Sequence, residues 1–375
     1  MVLRETEVLT YGGECRTIPT DSADVSAVRN RVSGEVYMPV TLSDVAQRAG
    51  VSAKTVSRVV NGEKDVSEGV RQHILRIIEE MDYVPHAQAR HLASGKTHSI
   101  ALHYPLSNPS LFSERLEMNF ITGIAMGAAQ ESYYFTLFTG ELNPRELKQI
   151  CQGSIADGLI LMQVALDDWR VDELKKLGFP FILIGRCEDN AGLSFVDFDF
   201  ENAVLDAYAH LVSLGHNRIG FLTYPHTWQQ ENLGPAVRAE RGYQDAIRKF
   251  GLEPIYRECD LSVESGAASA VNVIEQYPDI SAFVTMHNTI TVGAINAIQG
   301  LGCRIPEDYS IVGIALGKET DLIIPPMTAI HWEGDQIGRQ AAQMLINQLN
   351  TKEPVTEQIL IPPRIVTRRS TSEHR

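Results

Sequence analysis

From residue 99 almost to the C-terminus, short apolar runs alternate with longer amphipathic stretches, and this alternation narrows the fold most. Apolar runs predict strands over 100–104, 134–138, 158–162, 181–184, 218–222, 282–285 and 310–314. Helical periodicity falls between them, over 114–131, 171–177, 201–214, 237–250, 291–302 and 334–349. Wholly apolar strands joined through helices imply parallel sheets covered on both faces. Roughly 270 residues exceed one ordinary open sheet, so two α/β lobes with a cleft between them are expected. Ligands in such folds lie beyond the C-terminal ends of the strands.

A different pattern precedes this region. Residues 40–61, VTLSDVAQRAGVSAKTVSRVVN, read as two short helices broken at Ala49-Gly50-Val51. Leu42, Val45, Ala46 and Ala49 repeat at helical spacing. Thr41 is placed to cap the first helix with Asp44 at its third position, and Ser52 to cap a second over 53–61. Val56, Val59 and Val60 form its inner stripe, leaving Ala53, Lys54, Ser57, Arg58 and Asn61 largely on the other side. Such a face either meets solvent or enters a DNA major groove, where Arg and Lys donate to guanine edges and Ser and Asn reach bases or phosphates. Ser67 is expected to cap a third helix over 68–81, with Val70, Ile74, Ile77, Ile78 and Met81 inward. Tyr83-Val84-Pro85 stops it.

A content of 44% hydrophobic and 21% charged residues suits a globular protein. The net charge of −14 argues against nucleic acid until its distribution is read. Residues 38–98 carry eight Lys and Arg against seven Asp and Glu, with four His besides; the acidity belongs mainly to the part beyond. An acidic core would repel DNA and leave the small segment to dock, aided by a second copy or a second inserted element. No apolar run approaches a membrane span, and MVLRETEVLT lacks the apolar core of a signal peptide, so a cytoplasmic protein is expected. The five cysteines at 15, 151, 187, 259 and 303 form no CxxC pair and read as reduced thiols.

Residues 1–37 show no sustained period and read as a disordered arm, with Met38 a candidate natural start. In 86–100, HAQARHLASGKTHSI, residues 87–93 are too short and weakly apolar for an independent helix. Leu92 is the large apolar side chain there; either it packs on its own domain or it wedges into a minor groove as the segment folds on DNA. Gly95-Lys96-Thr97 is not a phosphate loop, because Arg90 stands where the earlier glycine belongs.

The run MPVTLSDVAQRAGVSAKTVSRVVNGEKDVSEGVRQHILRIIEEMDYVPHAQARHLASGKT resembles the headpiece and hinge of the LacI/GalR repressor family. HLVSLGHNRIGFL, ERGYQDAI, RIPEDYSIVGI, PPMTAI and RIVTRRST resemble its core, so the likeness covers about residues 38–371. It implies a small all-α helix-turn-helix headpiece (38–83), a hinge helix and linker (84–98), and a periplasmic-binding-protein-like α/β core of two lobes with parallel sheets (99–375). Lobe 1 would take about 99–187 and 330–352, and lobe 2 about 188–329 and 353–371. It implies a homodimer on a near-palindromic double-stranded DNA operator. Ala53, Lys54 and Arg58 correspond to base-reading positions, and Thr41, Ser52, Thr55, Ser57 and Asn61 to phosphate contacts. Leu92, aided by Ala89, corresponds to the minor-groove wedge, and His86 stands where the family usually has Asn. With no leucine-rich heptads after RRST, a dimer is expected and not a tetramer.

The same resemblance places Phe112, Gln163, Arg186, Asn288 and the Ile330-His331-Trp332 crossover around an effector, commonly a sugar, nucleobase or derivative. The chain departs from the pattern in several places. The usual Asn-Asp is Asn288-Thr289, the usual Gly-Phe-Asp-Asp is Gly313-Ile314-Ala315-Leu316, and Trp332 stands where Gln is frequent. Carboxylates that grip sugar hydroxyls are therefore expected to be missing. Ala239 replaces a common arginine, for which Arg238 or Arg241 could substitute. The chain is expected to lean on aromatic stacking from Trp332 and Trp228 against a sugar, disaccharide or glycoside. For each residue a structural role competes: lobe packing for Trp332, loop anchoring for Trp228, an ion pair with Asp189 or Asp199 for Arg186, and local backbone contacts for Asn288. No nucleophile motif, metal-ligand spacing or cofactor loop is present in the sequence, so an enzyme is not expected. A corepressed regulator sensing a nucleobase or another metabolite, a transport sugar-binding protein and an α/β enzyme are the competing classes.

Overall fold

The computed structural model describes residues 40–60, 65–83, 96–105, 115–316, 323–351 and 355–374. The expectations for 1–37, Met38, Asn61, His86, Ala89, Leu92 and Phe112 lie outside the described residues. The chain divides into two units, Met1–His86 and Ala87–Arg375.

In the first unit, α1 (Leu42–Ala49) opens on a reciprocal cap. The Thr41 N–H and hydroxyl donate to the Asp44 carboxylate at 2.8 and 2.7 Å, and the Asp44 N–H donates to Thr41 Oγ1 at 3.3 Å. Those bonds hold the Asp44 carboxyl below the usual carboxylate range. Gly50 ends the helix at φ +66, a conformation glycine adopts without steric cost, and donates to the Ala46 and Gln47 carbonyls. In α2 (Ala53–Val60) the Thr55 N–H donates to Ser52 Oγ at 3.2 Å, as a capping serine requires. α3 (Glu68–Glu80) corrects an expectation: Ser67 precedes it but its side chain makes no capping bond. That start is exposed, where water can serve the first amides. Val45, Ala46, Ala49, Val56, Val59, Ile74, Ile77 and Tyr83 close a single small core between the three helices.

In the second unit the chain crosses between two sheets three times. It begins with β1 (Ser99–His103), α4 (Arg115–Gln130), β2 (Tyr134–Phe138), α5 (Pro144–Gln152), β3 (Gly158–Leu161), α6 (Trp169–Leu177), β4 (Phe181–Ile184) and β5 (Phe195–Phe198). It then passes to the other lobe through α7 (Phe200–Ser213), β6 (Ile219–Thr223), α8 (His226–Gln230), α9 (Gly234–Phe250) and β7 (Ile255–Glu258). That lobe continues with α10 (Val263–Gln276), β8 (Ala282–Met286), α11 (Asn288–Gly300), β9 (Ser310–Leu316) and β10 (Thr328–His331). Last come α12 (Gly334–Asn350), β11 (Gln358–Ile361) and β12 (Arg364–Val366). The sheets run β11-β5-β4-β3-β1-β2 and β12-β10-β9-β8-β6-β7. Among the described strand pairings all are parallel except β10 with β12.

Coverage on both faces explains the apolar strands. Along β1, Ile100 and Leu102 join the core under α4 and α12, while Ala101 joins that under α5 and α6. In the other lobe Phe221 faces α7 and α9, and its neighbour Leu222 faces α10 and α11. α4 and α12 approach backbone to backbone: a Cβ on Gly123 would lie 2.1 Å from the Asp335 carbonyl oxygen, and one on Gly338 2.3 Å from that of Phe120.

The crossings correct the expected lobe limits. Residues 195–198 and 358–361 pair into the first sheet, not the second, and 328–331 pair into the second. Each is a strand of four residues: 195–198 joins neighbouring β4 to distant β11, and 328–331 joins β9 to β12, so no local period marks its sheet. The lobes also touch beside the crossings. Leu166 N–H donates to Asn232 O and Gly234 N–H to Val164 O, both at 2.9 Å, around an antiparallel bridge of Ala165 with Leu233.

Candidate functional site

On the first unit, Thr41, Ser52, Ala53 and Lys54 are exposed, whereas Thr55, Ser57 and Arg58 are half-buried. Thr55 Oγ1 is 2.8 Å from Ser52 Oγ, so these two hydroxyls order the start of α2. Lys54 thus projects from a capped, rigid helix whose opposite side is locked by Val56 and Val59.

On the second unit, a cavity opens between the lobes, with about 700 Å³ of empty space once the solvent at its mouth is counted. Its first-lobe wall carries Tyr104, Phe120, Gln163 and Asp197; its second-lobe wall carries Phe200, Tyr224, Trp228 and His287. Tyr104, Gln163, Tyr224 and His287 each follow the C-terminal end of a parallel strand, where such folds present ligand groups. Trp332, at the crossover after β10, also lines it. That indole packs edge-on against Phe120, Phe198 and Phe200, with centroids 5.0, 5.5 and 5.3 Å away. It contacts the cores of both lobes, so cleft wall and lobe packing are the same residue. Its Nε1 is buried without a hydrogen-bond partner among the described residues. Trp228 stacks on Tyr224 at 4.9 Å, with planes 20° apart, and is both loop anchor and wall.

Thr289, Ala315 and Leu316 leave out the carboxylates usual at those positions, but the cavity has another in Asp197, which sequence reasoning missed. It sits within β5, buried, with Oδ2 accepting from Arg186 Nε at 3.0 Å and Oδ1 from the Phe198 N–H at 2.8 Å. Burial pushes its carboxyl up to about 6, against the pull of Arg238 and Arg186. Arg186 therefore pairs with neither Asp189 nor Asp199; it orients the carboxylate that lines the cavity. Asp199 instead caps α7, accepting from the Asn202 N–H.

Arg238 and Arg241 do not line the cavity. Arg238 is buried and donates to the Cys187 carbonyl at 2.9 Å, and Arg241 forms an exposed ion pair with Glu188 at 3.0 Å; both contacts join the lobes. Asn288 starts α11, half-buried, while its predecessor His287 reaches the wall from a backbone at φ +70. His287 Nδ1 accepts from the Thr289 hydroxyl at 2.8 Å and from its N–H at 3.4 Å, so Thr289 orients the imidazole.

The comparisons with known proteins agree with both units. Residues 41–86 match the family described as bacterial regulatory proteins, lacI family, and residues 208–371 a periplasmic binding protein-like domain. Catabolite control protein A of Priestia megaterium is 30% identical over 341 residues, covering 89% of this chain and 100% of that protein. The chain belongs to the LacI family. It is a helix-turn-helix transcriptional regulator with a two-lobed ligand-binding core. The HTH-type transcriptional regulator CelR of Thermobifida fusca is 29% identical over 326 residues, 84% of this chain and 94% of that one. A structure of a CelR–cellobiose complex superposes with TM-score 0.64 at 26% identity, over 88% of this chain and 99% of that one. The fold of a Lac repressor dimer bound to operator and the anti-inducer ONPF matches with TM-score 0.78 at 24% identity, over 89% and 99%. Among the described residues no helix is long and apolar enough to cross a membrane.

Proposed function

We propose that this regulator represses transcription as a homodimer on a near-palindromic operator, under control of a carbohydrate held between its lobes. The observation that carries the effector class is the cavity wall. Large aromatic faces from Trp332, Trp228 and Tyr224 sit beside a few convergent polar groups, Asp197, Gln163 and His287. Aromatic faces suit the apolar side of a sugar ring, and carboxylate and amide groups suit its hydroxyls. That a relative's structure is a cellobiose complex supports the same class.

On the DNA side, Ala53, Lys54 and Arg58 would read base edges, with Thr41, Ser52, Thr55, Ser57 and Asn61 on phosphates. His86, Ala89 and Leu92 would enter the minor groove. The output follows from coupling. The lobes are joined by the Ala165–Leu233 bridge, Arg238 to Cys187, and Arg241 to Glu188. An effector that binds one lobe arrangement better than another shifts the population toward it, and operator affinity changes with that population. Whether the effector induces or corepresses is set by which arrangement also holds the DNA.

A thermal-shift screen of sugars, glycosides and nucleobases, followed by operator binding with each hit, tests this. The operator is obtained by selection from random duplexes. A saccharide that raises the melting temperature and alters operator affinity is expected. A nucleobase doing so, with no saccharide active, would replace the carbohydrate by the nucleobase class.

A further inference from the structure

All three tryptophans of the chain line adjoining cavities. Trp332 borders the cavity between the lobes. Trp228, Gln163 and Leu233 border both that cavity and a second space of about 1030 Å³. Trp169 borders the second space and the outer groove beside it. A ligand extending from the inner cavity past Trp228 therefore enters a space that a further indole borders.

Trp169 is 40% exposed, yet its mounting is rigid. It is the first residue of α6 and stands between two buried, charged residues. Asp168 caps the helix and accepts from Arg170 Nη2 at 2.6 Å. Arg170 also donates to the carbonyls of Met162 and Gln163 and to His103 Nδ1 at 3.0 Å. Because a guanidinium can only donate, His103 carries its proton on Nε2, which donates to the Gly140 carbonyl at 3.0 Å. Burial, with Arg170 adding to it, pushes that imidazole down to about 4 and keeps it neutral. So the charges beneath Trp169 are spent on each other, and the indole is held out on a fixed backbone.

The rest of the second space has one sign. Glu141, Asp167 and Glu231 border it, and Arg170, bound as above, is the one lysine or arginine among the described lining residues. An anionic ligand would be repelled there, whereas a neutral polyhydroxy ligand can donate to those carboxylates.

We propose that the effector is an uncharged oligosaccharide of three or more rings, extending from the Trp332 cavity past Trp228 onto Trp169. This rests on the carbohydrate reading above and adds length and charge to it. One ring occupies the inner cavity, the next passes Gln163 and Trp228, and an outer ring stacks on Trp169 while its hydroxyls meet the acidic rim.

Calorimetry on the full chain tests it with glucose, cellobiose and cellotriose, with maltose and maltotriose, and with glucose 6-phosphate. In the linkage series that binds, affinity is expected to rise about threefold or more with each added ring, up to three. Trp169→Ala should remove the trisaccharide's gain while leaving glucose unchanged, and Trp169→Tyr should restore most of it by keeping an aromatic face. Glucose binding as tightly as the trisaccharides, length dependence surviving in Trp169→Ala, or glucose 6-phosphate binding most tightly would each overturn the extended, uncharged effector and leave a carbohydrate regulator standing. No binding by any of these sugars would remove both readings.

Discussion

Asp197 shows how one buried side chain couples the cavity to pH. The unfolded chain gives up this proton near the ordinary 3.8, while the folded protein keeps it to about 6. Between those values the folded state holds the extra proton, so this group's contribution to stability falls as pH rises from 3.8 to about 6 and is level above. Chemical denaturation at about pH 5 and about pH 8 should show that fall in the native protein and lose this part of it in Asp197→Asn. An unchanged pH difference in the variant would place the titration elsewhere. Trp332 carries a second expectation. Trp332→Ala empties the space between Phe120, Phe198 and Phe200, and should cost about 3 kcal/mol of stability as well as saccharide affinity. Calorimetry showing undiminished affinity would remove the indole from the effector site. At this scale Trp332 and Trp228 were named from the resemblance, and each lines the cavity while also filling the packing role weighed against it; Trp169 was not singled out. Nor was Asp197. It sits in FVDFDF, two positions from Asp199, and nothing local distinguishes a carboxylate facing a cavity from one capping a helix.

Among the elements, helix packing sets the sharpest constraint. Gly123→Ala drives a methyl into the Asp335 carbonyl, and the α4–α12 pair must separate to admit it. A loss of about 1–3 kcal/mol is expected by thermal or chemical unfolding. A neutral effect would mean that these helices slide freely. Most helices were readable from periodicity, and the Thr41 and Ser52 caps from residue type and spacing. α5 was missed although its signals were present: Asn143 and Glu146 form a reciprocal cap around Pro144 at the first helical position. Its two buried anchors, Leu147 and Ile150, are too few to show a period. β5, β7, β10, β11 and β12 were unreadable for a different reason. They are hardly shorter than β3 or β4, but polar and charged residues such as Asp197, Arg257, His331, Gln358 and Arg364 break or bound their apolar runs.

For the whole molecule the expectation concerns charge. The chain carries −14 overall, so operator binding relies on a few cations placed by the headpiece helices. Lys54→Ala should weaken operator binding. If Lys54 reads a base edge, the loss is about 1–3 kcal/mol of discrimination at one operator position. If it meets phosphate, all sequences weaken alike and the salt slope falls by about one. Fluorescence anisotropy over a salt series with single-base operator variants separates these, and unaltered binding would put Lys54 outside the interface.

Local chemistry was enough for a capped helix pair around a glycine turn and for the alternation that makes two parallel-sheet lobes. Both depend on residues within a few positions of one another, and both stand in the structure. Pairing over long distances decided the rest. It put residues 358–361 into the first sheet against 195–198, and 364–366 into the second against 328–331. It also set Trp332, Trp228 and Trp169 beside adjoining cavities. Those neighbours meet only once strands distant in sequence have chosen their partners, a choice made by burial of the whole core and by no local period.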